Sequence, residues 1–319
     1  MRKKSDKFLY QIYGLNLVSE IELPELDPLS PLLLRPDWAD VSIRIGTLPT
    51  ELDNRILKWS WCSASPSDYL FEIEDVAGYH IANGNTITVN PAPGKNSPHT
   101  HTAIRNWLLG SAFAALLHQR KLLPLHVSAV DTENGVWAFT GKSGEGKSTL
   151  AAYLHKRLGY QLFSDDLSAV VTNGSGPLIF AGPKRLKLWE DALAYLDFHG
   201  CRMELVQGAR SKFQIDLKSV ASRKPRPLRG IVLLETSVSQ TDSSIEILRG
   251  SQAFGVIGAA TYRPYMANWF KQPKQKVLEL FNLCEHVQVL KFQRPRCLRK
   301  FDSQIQPLLE VLGRVKANQ

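Results

Sequence analysis

Residues 1–98 carry short runs rich in β-branched and aromatic residues, at 8–17, 41–45, 69–73 and 86–89. Pro24, Pro28, Pro31, Pro36 and Pro49, and the turn-forming Ala82-Asn83-Gly84-Asn85, stand between them. Such punctuation predicts a mostly β segment. Residues 91–98 (Pro-Ala-Pro-Gly-Lys-Asn-Ser-Pro) read as a hinge, because they suit neither strand nor helix. His99 and His101, just beyond it, read as loop residues, since no third ligand follows at a metal-binding spacing. At 103–118 the pattern changes: Ile104, Trp107, Leu108, Ser111, Ala112, Ala115 and Leu116 recur with a helical period. Further strands are predicted at 126–130, 136–139, 160–164, 169–172, 231–234, 245–248 and 287–292. Helices are predicted at 147–158, within 262–281, and at 302–315. The expected fold is α/β (α+β), with a β-rich domain over 1–98 and a second domain over 99–319.

Composition narrows this picture only slightly. The 319 residues fit two domains at ~150 residues each. With 44% apolar and 22% charged residues the chain can bury a core, which argues against disorder. Lysine and arginine outnumber the acids 39 to 30, a net charge of +9 that favours anionic partners without choosing among them. No stretch approaches the ~20 apolar residues of a membrane span; the longest candidate, 108–117, is interrupted by Gly110 and Ser111. Arg2, Lys3, Lys4 and Lys7 precede no apolar leader core. The cysteines at 62, 201, 284 and 297 are too scattered for a zinc site or a disulfide scaffold and read as reduced thiols. These features lead us to expect a cytoplasmic protein with no membrane partner. Nothing in the sequence sets the oligomeric state, and a homo-oligomer is compatible with it.

The chemistry enters at residue 141. The predicted strand ending at Thr140 runs into Gly141-Lys142-Ser143-Gly144-Glu145-Gly146-Lys147-Ser148, followed by Thr149, a phosphate-binding loop pattern at every fixed position. Glycines let the backbone curl so that successive N–H groups point at phosphate oxygens, and the helix that opens near Lys147 adds its positive dipole end. Lys147 supplies charge for the β and γ phosphates, and the Ser148 hydroxyl is suited to Mg²⁺. Gly159 is placed to cap the helix in a left-handed conformation. Eighteen residues after Lys147, a strand ends in Asp165-Asp166. Two carboxylates there allow two tasks, one at the metal and one at the proton of a hydroxyl nucleophile. His126, fifteen residues before Gly141, opens the preceding predicted strand; the sequence leaves open whether it shares the loop's end of the sheet.

Leu125-His126-Val127-Ser128-Ala129, the loop 141–149, and Leu162-Phe163-Ser164-Asp165-Asp166 together resemble the bacterial HPr serine kinase/phosphorylase family. They are closer still to the HPr-kinase-like proteins of peptide-modification systems, kinases of lasso-peptide precursors included. The resemblance implies a fold like the carboxyl half of phosphoenolpyruvate carboxykinase, with ATP and Mg²⁺ as cofactors. It also implies that His126 orients an aspartate, that Asp165 is the general base or acid, and that Ser148 and Asp166 attend to Mg²⁺. The opening residues 13–17, 19–26 and 39–46 are similar to the β-rich first domain of those relatives. Past Asp166 the sequence departs from the true HPr kinases. Residues 182–189 are no counterpart of their glycine-rich signature, so the resemblance extends to the kinase and not to the phosphorylase or to HPr as substrate.

Basic residues gather downstream: Lys184, Arg185 and Lys187; Arg210, Lys212 and Lys218; Arg223, Lys224, Arg226 and Arg229. They read either as a solvated face or as a trap for ATP phosphates or an acidic peptide. Arg185 and Lys212 are the expected holders of phosphate or acceptor. Motifs of the common nucleic-acid folds are absent, so no nucleic-acid partner is expected. The leading expectation is an ATP- and Mg²⁺-dependent kinase acting on a serine hydroxyl of a peptide or small protein, lasso-peptide precursors included. A small-molecule kinase of the same fold and a non-catalytic nucleotide-dependent regulatory or peptide-binding module are the alternatives.

Overall fold

The computed structural model describes residues 7–33, 35, 37–95, 97–173, 176–198, 203–206, 211–217, 224–238, 242–270 and 273–313. Arg2, Lys3, Lys4, Pro36, Asn96, Cys201, Arg210, Lys218 and Arg223 lie outside the described residues. The fold is mixed α+β and forms two compact units, Met1–Pro124 with Arg263–Lys276, and Leu125–Tyr262 with Val277–Gln319.

The first unit is built on an eight-stranded sheet. Its strands are β1 (Phe8–Ile12), β2 (Leu15–Ser19), β3 (Val41–Ile45), β4 (Leu57–Lys58), β5 (Cys62–Ala64), β6 (Asp68–Ile73), β7 (Ala77–Ala82) and β8 (Thr86–Pro91), ordered β1-β2-β3-β8-β7-β6-β5-β4. The run 8–17 is thus no single strand. Tyr13 and Gly14 both take positive φ, which folds it into a hairpin. Helix α1 (Pro98–Trp107), a π-turn (Leu108–Ala112) and α2 (Phe113–Gln119) follow without a break. Ser97 caps this helix by accepting from the Thr100 N–H at 3.1 Å, and Pro98 fills the first turn, where a missing N–H costs nothing. His99 and His101 are therefore helical and not loop residues. The expected domain boundary at 98 moves for the same reason. The helix belongs with the β-rich unit, and the Tyr79 hydroxyl donates to the Ile104 carbonyl at 3.0 Å inside it.

β9 (Leu123–Leu125) carries the chain across to the second unit. There follow β10 (Ser128–Thr132), β11 (Gly135–Thr140), α3 (Lys147–Leu158), β12 (Gln161–Ser164), β13 (Ser168–Asn173), β14 (Gly176–Phe180), β15 (Arg185–Trp189), α4 (Glu190–Leu196), β16 (Met203–Leu205), β17 (Lys212–Asp216), β18 (Arg226–Ser237) and β19 (Ser244–Leu248). α5 (Gly250–Ala260), α6 (Ala267–Phe270), α7 (Pro273–His286), β20 (Gln288–Pro295), α8 (Phe301–Gln304) and α9 (Gln306–Leu312) complete the order. The sequence pattern gave no signal for α5, whose three glycines conceal it.

The central sheet of the second unit runs β12-β10-β11-β18, with β20 and β19 beyond β18. β11, β18, β20 and the edge strand β12 share one direction, whereas β10, between β12 and β11, and β19 run against them. This arrangement is not doubly wound. α3 lies against the core formed with Phe139, Leu162, Val232 and Phe292, and buries Leu150, Ala151 and Leu154 fully. Gly159 ends it at φ +74, as its position predicts. β15, β17 and β16 form a separate three-stranded sheet in the order β15-β17-β16. Leu186 and Leu188 face the core, which leaves Arg185, Lys187 and Trp189 on the opposite face. Among the described residues no helix is long and apolar enough to cross a membrane.

Candidate functional site

Strand register brings the chemistry together. Ser128 stands opposite Phe139 in the antiparallel pair β10–β11, so the start of β10 meets the end of β11. His126, just before β10 and held by its N–H donating to the Ala260 carbonyl at 2.7 Å, therefore shares the end of the sheet from which the loop 141–149 departs. The expected strand 126–130 begins at Ser128, leaving His126 outside it. On the other side of β10, Ala129 pairs with Ser164, which sets Asp165 beside Ser128. The carboxyl ends of parallel β18 and β20 add Thr236 and Arg294 at the same edge, where ligands of α/β sheets characteristically bind.

A cavity of about 1180 Å³ opens there. Ser143, Gly144, Gly146, Lys147, Ser148 and Thr149 line it, together with His126, Asp165, Asp166, Lys187 and Lys212. The rest of the loop supports this wall. The carbonyls of Gly141 and Lys142 accept from the Lys147 ammonium at 2.8 and 3.3 Å, and the Glu145 carboxylate accepts from both the N–H and the hydroxyl of Thr236. Gly146 sits at φ +83, a conformation that strains any side chain. Burial lowers the Lys147 pKa, against the pull of Asp165.

The two aspartates differ sharply. Asp165 is buried, and its Oδ1 accepts from the Ser148 hydroxyl at 2.8 Å and the Ser128 hydroxyl at 2.5 Å. Its Oδ2 accepts from the Lys187 backbone N–H at 2.8 Å. Asp166 adopts φ +82 and turns the other way. Its Oδ2 meets the Lys187 ammonium at 2.8 Å and Arg185 Nη2 at 3.8 Å, and its Oδ1 lies 3.7 Å from His126 Nε2. Burial opposes ionisation of Asp166, but Lys187, His126 and Arg185 outweigh it and hold the carboxyl well below the usual range. Burial lowers the His126 pKa, with Asp166 pulling it back up. The ring is nonetheless half-exposed.

This pairing reverses the expectation. Ser148 goes with Asp165 and not with Asp166, and the histidine goes with Asp166, because Asp165 is spent on three donors while the αL turn at Asp166 swings its carboxylate toward β15. Arg185 is also corrected. It is 1% exposed and braces Asp166, so it is no open holder of phosphate. Lys212 does line the cavity, with its ammonium 5.7 Å from the Trp189 ring centroid. Glu235, just past the apolar run 231–234, accepts from the Gln293 side-chain amide at 2.9 Å.

Sequence reasoning passed over Ser128, Thr236, Arg294 and Arg296, and took Lys187 for one charge in a run. Thr236 and Arg294 each lie two residues past a predicted apolar strand run, so strand ends parallel to β11 were the available signal. Lys187 needed the period-2 pattern of β15, which its basic neighbours masked. Among the described residues no group of three or more His, Cys, Asp or Glu side chains could hold a metal. The donor set Ser148–Asp165 fits Mg²⁺ all the same, since that ion takes one or two protein oxygens and completes its shell with phosphate and water.

No family model matches the chain, and no curated protein matches it. Among solved structures, the HPr(Ser) kinase/phosphatase from Coxiella burnetii overlaps it with a TM-score of 0.28 at 11% identity, over 60% of this chain and 99% of that one. An overlap this loose carries no argument, and the reading of the site rests on its own geometry.

Proposed function

We propose that this chain is an ATP- and Mg²⁺-dependent phosphotransferase acting on a hydroxyl. One observation carries the reading: a glycine-rich strand–loop–helix with Ser148 on Asp165, set against a second carboxylate–histidine pair in the same cavity. Phosphoryl transfer asks a protein for positioning and charge neutralisation, and these residues supply both. The loop N–H groups and Lys147 bind the β and γ phosphates. Ser148 and Asp165 would hold Mg²⁺, which would supply positive charge against the phosphate oxygens. The acceptor hydroxyl enters from the His126 side. Its proton passes to His126, because Lys187 keeps Asp166 ionised and a strongly acidic carboxyl is a poor base. Asp166 then stabilises the imidazolium. The acceptor oxygen forms a bond to the γ phosphorus while the bond to the β–γ bridging oxygen breaks, and ADP leaves.

The acceptor class put forward is a serine of a peptide or small protein, lasso-peptide precursors included, on the strength of the sequence resemblance. Incubation with γ-labelled ATP, Mg²⁺ and a panel of serine peptides and small-molecule alcohols tests it. Label on a peptide, lost in Asp166→Asn, supports the reading. Label on small alcohols alone would make the protein a small-molecule kinase, and nucleotide-dependent peptide binding without label would make it a binding module.

A further inference from the structure

Arg294, at the end of β20, has no assigned task in that mechanism. It is 4% exposed, yet it forms part of the cavity wall. Of its five N–H donors, only two find acceptors among the described residues, and both bonds are long: Nη1 to the Pro295 carbonyl at 3.5 Å and Nη2 to the Glu145 carbonyl at 3.3 Å. Nε is buried without any partner. The guanidinium lies over the Phe301 ring, its Cζ 4.8 Å from the centroid. No carboxylate pairs with it among the described residues, since Glu145 spends its own on Thr236. A buried cation without an acid partner is costly, and an anionic ligand is what removes that cost.

Its position says which anion. A Cβ built on Gly146 would stand 2.5 Å from Arg294 Nη2 and 4.0 Å from the Thr149 Cβ. The guanidinium thus lies against the Gly146–Thr149 side of the loop. The charged neighbours of Arg294 are Glu145 and Arg296, whereas those of Lys147 include Asp165, Asp166 and Lys212. Arg294 and the aspartate pair occupy different flanks. We propose that Arg294 grips the phosphates that are not transferred, the α and β groups of the nucleotide, through its planar fork; this rests on the nucleotide reading of the cavity. A glycine at 146 is then required so that the guanidinium can approach the phosphate-binding backbone.

Titration of Mg-ATP and Mg-ADP into the wild-type chain, Arg294→Met and Arg294→Lys tests the proposal. Arg294→Met keeps an apolar stem on Phe301, and a thermal melt without ligand checks its fold. The expected result is a Kd raised about 10- to 100-fold in Arg294→Met, equally for ATP and ADP, as loss of charge-assisted bonds implies. Arg294→Lys, which keeps the charge and serves as the readout should the methionine variant unfold, is expected to weaken both nucleotides several-fold, because an ammonium lacks the fork. Unchanged affinities in either folded variant would overturn the proposal and leave the nucleotide reading standing. A penalty on ATP alone would also overturn it, by placing Arg294 at the transferred phosphate. A wild-type chain that binds neither nucleotide would overturn the nucleotide reading itself, and the proposal with it.

Discussion

Asp165 and Asp166 are neighbours in sequence and of the same chemical type, yet they stand in two different electrostatic regions. Asp165 is enclosed by hydroxyls and a backbone N–H, all neutral donors, and faces the glycine-rich loop. Asp166 is enclosed by Lys187, Arg185 and His126. The positive φ at Asp166 parts the two carboxylates, which under the proposed function serve the nucleotide and the acceptor respectively. The difference teaches that carboxylate roles follow from the donors that surround them, which strand register supplies, and not from order along the chain.

The largest expected effect breaks the nucleotide flank altogether. Lys147→Ala removes the ammonium that the loop carbonyls hold and that the proposed function places at the phosphates, and nucleotide affinity should then fall by at least ~100-fold. Near-normal binding in a calorimetric titration would remove the basis for the whole comparison.

On the other flank, His126→Ala and Asp166→Asn should keep Mg-ATP binding while single-turnover transfer falls by ~10²–10⁴, the first through loss of the general base and the second through loss of the carboxylate that stabilises its protonated form. The pH profile sharpens this. His126 must be neutral to take a proton, and burial places its pKa below the ordinary histidine value. The transfer rate should be flat near neutrality and fall as the pH drops through that lowered value. Because Asp166 raises the histidine pKa, residual transfer in Asp166→Asn should carry its acid limb at lower pH still. A limb moved upward would contradict the pairing.

Smaller effects separate support from contact. Gly146→Ala must hold alanine at φ +83 and push Arg294 aside, and should lower stability by ~1–2 kcal/mol in a denaturant titration. Lys212→Ala removes a cavity cation whose ammonium stands 5.7 Å from the Trp189 ring centroid, and should change nucleotide affinity no more than a few-fold.

Much of the nucleotide flank was legible in the sequence. The loop, the helix 147–158 with its Gly159 cap, and the strand before Asp165 all declare themselves through local periodicity and turn chemistry. The acceptor flank was not. Lys187 and Arg185 reach Asp166 only because β15 alternates, and β15 sits in a basic stretch whose charge hides the alternation. Ser128 and His126 join the site through pairings of β10 with β11 and β12, which are long-range facts. In the first unit, Tyr13-Gly14 split an apparent strand, and Ser97-Pro98 turned an apparent hinge into a helix start. In the first place the apolar run outweighed the turn signal; in the second the proline- and glycine-rich run 91–98 hid the Ser-Pro cap.

The central claim is that Asp165 serves the nucleotide and Asp166 the acceptor. Its most direct test is the Mg²⁺-dependent affinity for ATP of Asp165→Asn set beside that of Asp166→Asn, measured by titration calorimetry on folded protein. The account predicts that Asp165→Asn loses the Mg²⁺-dependent part of the affinity and that Asp166→Asn retains it. Loss in Asp166→Asn with retention in Asp165→Asn would contradict the assignment.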